Sequence, residues 1–115
     1  PSTLEEIQGN LTSMAELARA NGIKVVLASV MPVTDALKPQ TARRPPEKIR
    51  ALNEWIKAYA AKTGAVYLDY HSAMADDKGM LKTELTYDGL HPNDAGYDLI
   101  QPLAQKAIAQ ALMSK

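Results

Sequence analysis

The chain has 115 residues, 12.5 kDa, with 46% hydrophobic residues, the size and apolar share of one ordinary globular domain rather than a disordered segment. Thirteen Lys and Arg balance thirteen Asp and Glu, and no basic cluster stands out, so nucleic-acid binding by phosphate neutralisation is not expected. There is no cysteine, which removes disulfides, thiol nucleophiles and zinc–thiolate sites, and no apolar run approaches the roughly 18–20 residues of a membrane span.

Ser2 followed by Glu5 predicts a capping box. Leu4, Ile7, Leu11, Met14 and Ala18 then recur at helical spacing, which predicts a first helix over 3–20 with Asn21-Gly22 as its stop. Ile23–Val30 (IKVVLASV) is almost wholly apolar and rich in β-branched residues, the pattern of a parallel strand buried on both faces. Met31–Pro46 holds four prolines and the adjacent Arg43 and Arg44. It predicts an irregular loop, either a solvated connection or a contributor to a substrate pocket. The arginines read more simply as a solvated pair than as part of a substrate mouth.

Pro46 suits a first helical position. Ile49, Leu52, Trp55, Ile56, Tyr59 and Ala60 mark the apolar face of a second helix, ended by Thr63-Gly64. Ala65–Leu68 (AVYL) predicts a second short strand, Tyr70–Ala75 a helical turn, and Asp76–Gly79 a polar turn. From Asp94 a last helix begins, with Leu99, Ile100, Leu103, Ala107, Ile108, Ala111 and Leu112 on its apolar side. Pro102 predicts a kink or restart near Gln101.

The order α-β-α-β-α implies a right-handed βαβ unit with parallel strands. Two strands are too few for a doubly wound sheet, so Ile23–Val30 should present an open apolar edge. The expectation is the second half of a larger α/β domain. It would self-associate or pair with a separate N-terminal half.

The segment Tyr87-Asp88-Gly89-Leu90-His91-Pro92-Asn93-Asp94-Ala95-Gly96-Tyr97 carries the chemistry. An Asp three residues before a His, in a turn feeding a helix, can fold its carboxylate onto one imidazole nitrogen. That leaves the other nitrogen free as a base. Gly89 permits the bend, Pro92 stiffens its end and Asn93 can cap the last helix. The plainer alternative makes Asp88 a turn residue and His91 a partly buried histidine.

The block D-G-L-H-P-N-D-A-G-Y resembles the last conserved block of the SGNH/GDSL ester hydrolases. Ile23–Val30 with Met31-Pro32, and the AVYLDY stretch, resemble the fourth and fifth strands of that fold, in the same order. The resemblance covers essentially the whole chain. It implies the C-terminal half of a flavodoxin-like, three-layer α/β/α hydrolase domain. It further implies carboxylic-ester hydrolysis through a Ser-Asp-His triad, Asp88 as orienting acid, His91 as general base, a small-molecule ester substrate and no cofactor or metal.

The G-D-S block with the nucleophile and the G-x-N-D block with the oxyanion asparagine have no match in these residues. The domain is therefore expected to be incomplete and the isolated chain inactive. Ser29, Thr34, Ser72 and Thr86 are the alternative hydroxyls. Ser29 is the best placed, near a strand's C-terminal end, but it lacks the glycine-rich elbow of a nucleophile. A metal site of Asp69, His71, Asp88 and His91 is conceivable but has no motif spacing behind it. Two other classes stand beside the hydrolase: a non-catalytic α/β module that assembles through its open edge, and a small-ligand domain, for which no phosphate-cradling glycine loop is present.

Overall fold

The computed structural model describes residues 3–113. Helix α1, Leu4–Ala20, opens on a capping box one position later than expected. Thr3 accepts from the Glu6 N–H at 3.1 Å, and the Glu6 carboxylate returns to the Thr3 N–H. Ser2, the expected cap, lies outside the described residues. The helix ends as predicted: Ile23 N–H donates to Ala18 C=O and Gly22 N–H to Arg19 C=O, with Gly22 at φ 73°. Those two bonds satisfy carbonyls that the last turn leaves without partners.

Strand β1 is Val26–Ala28 and strand β2 is Val66–Leu68. They pair in parallel with Val26, Leu27 and Ala28 opposite Val66, Tyr67 and Leu68. The crossover between them is α2, Pro46–Thr63, which starts on a proline and stops at Gly64 in the left-handed region, φ 80°. After β2 come the short helix α3, Tyr70–Met74, a 3-10 turn at Thr83–Leu85, and α4, Asp94–Met113.

Side chains alternate across the two strands and so separate two cores. Leu27 packs with Leu52, Ile56 and Ala60 of α2 and with Ile7 and Leu11 of α1. Val66 and Leu68 pack on the opposite face with Ala107 and Ala111 of α4. This is the expected α/β/α layering. Each fully buried aliphatic side chain contributes about 1.5–3 kcal/mol. A third cluster, Met74, Leu81, Leu85 and Ile100, lies under the segment that carries the Asp88–His91 motif.

Several expectations need correction. The first strand is shorter than 23–30 and is not buried on both faces. Ile23 is 59% exposed, and among the described residues β1 pairs only with β2. Met14, on the apolar stripe of α1, is 61% exposed, because the open edge of β1 gives that part of α1 nothing to pack on. It lines an apolar groove of about 360 Å³ with Leu11, Val26 and Ala28. On α4, Leu99, Ile108 and Leu112 are exposed rather than buried, whereas Ile100, Ala107 and Ala111 are buried as expected. Pro102 does not restart α4, which continues through it. Pro102 and Asp98 are both exposed, so water can serve the Asp98 carbonyl that the proline cannot.

Candidate active site

The motif turn is assembled by local hydrogen bonds. Thr86 bridges to Pro92 in an isolated antiparallel pair. The buried Thr86 hydroxyl donates to His91 C=O at 2.6 Å and accepts from Gly89 N–H at 3.0 Å. Asn93 caps α4, its Oδ1 accepting from Gly96 N–H at 2.9 Å, while its Nδ2 donates to Glu84 C=O. The loop that leaves β1 meets this turn: Thr34 N–H donates to Gly89 C=O at 3.0 Å. That contact places the motif at the C-terminal end of the parallel strands, the side where open α/β sheets bind ligands.

Two glycines are demanded by the packing. Gly89 has φ 90°, and a Cβ there would lie 2.5 Å from the Thr34 carbonyl oxygen. Gly96 has no positive φ. A Cβ there would lie 2.5 Å from the Leu85 carbonyl oxygen and 2.9 Å from Pro92 Cβ, so its role is the close seating of α4.

Within the turn, Asp88 Oδ2 lies 2.6 Å from His91 Nδ1. Asp88 Oδ1 accepts from the N–H groups of Leu90 at 2.8 Å and His91 at 2.7 Å. The His91 N–H and then its ring are the largest influences holding the Asp88 carboxyl well below the ordinary carboxylate range. A carboxylate fixed in this way makes Nδ1 the protonated nitrogen of a neutral imidazole and leaves the lone pair on Nε2. His91 is 57% exposed and Asp88 17%. Nε2 has no hydrogen-bond partner among the described residues. The Tyr87 ring stacks on the imidazole with centroids 6.0 Å apart and planes at 14°.

The other candidates are committed elsewhere. Ser29 is 5% exposed and its hydroxyl accepts from His71 N–H at 2.9 Å. Thr34 is buried and accepts from Ala36 N–H, Ser72 donates to Asp69 Oδ2 at 2.6 Å, and Thr86 serves the backbone of the motif turn. Asp69 caps α3 through Ser72 N–H. Burial pushes the His71 imidazole below its usual value, with Asp69 opposing and Arg50 reinforcing. Among the described residues no three His, Asp or Glu side chains converge to hold a metal ion, so Asp69 and His71 do not join Asp88 and His91. Arg43 and Arg44 are exposed. The loop is not simply a solvated connection, because Pro32, Val33 and Thr34 are buried and Val33 C=O accepts from Leu81 N–H.

Sequence reasoning missed Gln40, whose Nε2 donates to Asp88 C=O at 3.1 Å across a separation of 48 residues. No local signal marks it. It also took Thr86 only as a spare hydroxyl. Its place two residues before the Asp of a turn was the available hint, since Thr hydroxyls bond nearby backbone there.

The sequence pattern of the GDSL-like lipase/acylhydrolase family matches residues 1–99. Solved structures agree. A Bacteroides fragilis protein described as an acylhydrolase is 37% identical with a TM-score of 0.86, over 97% of this chain and 54% of that one. A GDSL-like lipase from Bacteroides thetaiotaomicron is 37% identical with a TM-score of 0.85, over 95% and 54%. A lipolytic protein of the G-D-S-L family from Desulfitobacterium hafniense, at 24% identity and a TM-score of 0.73, shares the fold over 91% and 55%. The chain thus spans about half the length of the solved structures it matches. No curated protein is similar enough to count as a match.

Proposed function

Because this chain belongs to the GDSL-like lipase/acylhydrolase family, a family of ester hydrolases, we propose that Asp88 and His91 are the acid and general base of a Ser-Asp-His triad acting on carboxylic esters. The observation that supports this most is the 2.6 Å Asp88–His91 contact with Nε2 left open. In the reaction Nε2 takes the proton of a serine hydroxyl as its oxygen attacks the ester carbonyl. The imidazolium that forms faces the ionised Asp88, which stabilises it. The same proton then passes to the departing alcohol oxygen, leaving an acyl-enzyme. Nε2 next takes a proton from water, whose oxygen attacks the acyl carbon, and returns it to the serine.

The serine and the oxyanion donors lie, on this reading, in a segment outside these residues. The relatives carry about as much chain again as is matched here. The apolar groove beside β1, with Leu11, Met14 and Val26 on its walls, is the surface that such an N-terminal half, or a second copy, would cover. The same groove favours a second reading, an α/β module that assembles without catalysis.

The 115-residue chain alone should therefore hydrolyse p-nitrophenyl acetate no faster than its His91→Ala variant, because triad members act as a unit. A rate clearly above that variant would mean that a hydroxyl within the chain is a working nucleophile, and would overturn the divided triad.

A further inference from the structure

The segment between β1 and α2 has no regular structure, and loops of this length in a compact domain usually carry function. Its middle is tied into a knot. Asp35 Oδ1 accepts from Gln40 N–H at 2.6 Å and Thr41 N–H at 2.8 Å, and Asp35 Oδ2 accepts from the Thr41 hydroxyl at 2.6 Å. The Thr41 hydroxyl first, then these N–H groups, hold the Asp35 carboxyl below its usual value. Gln40 C=O in turn accepts from the N–H groups of Arg43 at 3.2 Å and Arg44 at 3.1 Å. Gln40 is thus fixed on both sides of its backbone.

From that fixed point its side chain reaches the motif, where Nε2 donates to Asp88 C=O at 3.1 Å. The approach is close: a Cβ on Gly89 would lie 3.4 Å from Gln40 Cγ. Asp88 therefore has its carboxylate committed to His91 and its carbonyl committed to Gln40. Rotating the Asp88 backbone would disturb both.

We propose that Gln40, held by Asp35, is a positioning residue for the Asp88–His91 pair, its amide N–H fixing the Asp88 backbone so that the carboxylate stays on Nδ1. This rests on the reading of that pair as acid and base. Gln40 touches neither substrate nor the reacting atoms. Its effect travels through Asp88.

The test is NMR on the full chain, comparing Gln40→Met, Gln40→Glu, Asp35→Ala and the Gln40→Met/Asp35→Ala double variant. Two signals are followed: amide hydrogen exchange at Leu90 and His91, both held by Asp88 Oδ1, and the imidazole nitrogen shifts that report the tautomer. Met keeps the bulk of Gln40 and removes the donor, and Glu puts an acceptor against the Asp88 carbonyl. Each single variant should raise exchange at Leu90 and His91 by about five-fold, the population change set by losing one net hydrogen bond. Exchange at Ile56 and Ala60 in α2 should not change, and the nitrogen shifts should move toward a mixture of tautomers. The double variant should be no worse than the worse single one.

Wild-type exchange and tautomer in Gln40→Met would overturn the donor role and leave packing as the explanation. Wild-type behaviour in Asp35→Ala, or additive effects in the double variant, would overturn the link through Asp35. These signals read the pair's geometry. If Asp88 and His91 are not a catalytic pair, that failure appears separately, as undiminished turnover after His91→Ala in the active hydrolase.

Discussion

Asp88 concentrates the chemistry of the site because one short turn turns two backbone N–H groups and an imidazole toward a single carboxylate. Those bonds favour the ionised form, and directional donors rather than burial produce the effect. The folded-state pKa therefore lies below the unfolded value. The linked stabilisation is fully present above the ordinary aspartate value of about 3.9 and is lost as pH falls through the lower folded value. Carbon-13 titration of the Asp88 side chain should find it still a carboxylate at pH near 3.9, and a midpoint at the free-aspartate value would contradict the geometry. At this scale the site was half legible. The Asp88–His91 contact could be read because the partners stand three positions apart in a turn. Gln40 could not, because it reaches Asp88 only after the chain has built α2, β2 and α3 between them.

The helices were legible because their signals are local: apolar residues at helical spacing, Pro46 at a start, Gly22 and Gly64 at stops. The first cap slipped by one residue because Ser2-Glu5 and Thr3-Glu6 offer the same pattern one position apart. Strand length was not legible, because an apolar run says what can be buried and not which neighbours are present to bury it. Asn53 was also hidden in the polar positions of α2. It is buried, its Oδ1 accepts from Val30 N–H at 2.7 Å, and its Nδ2 donates to Val30 C=O at 2.9 Å. In effect its side chain stands in for a strand partner where β1 runs out. Asn53→Ala leaves both Val30 groups without that partner and should destabilise the fold by about 1–3 kcal/mol. The check is a lower denaturation midpoint with an unchanged slope. An unchanged midpoint would mean that the pair contributes nothing.

For the whole molecule, the two-stranded sheet explains where apolar surface remains. Met14 and Leu17 on α1 and Ile108 and Leu112 on α4 are all more than half exposed, and among the described residues one edge of β1, beside the groove, has no strand partner. An uncovered strand edge is a template for pairing with another chain. Light scattering over a dilution series should therefore give a mass above that of one chain at high concentration. A constant monomer mass would show that this edge is inert. On the proposed function, His91 is the base of an ester hydrolase whose serine lies in another segment. The most direct measurement joins these residues to the N-terminal half of the 37% identical Bacteroides fragilis protein. p-Nitrophenyl acetate hydrolysis is then compared for His91 and His91→Ala in chimeras that both unfold cooperatively. Turnover with His91 and a loss of about 10²–10⁴-fold in the variant are expected, whereas equal turnover by the two would show that His91 is not the base.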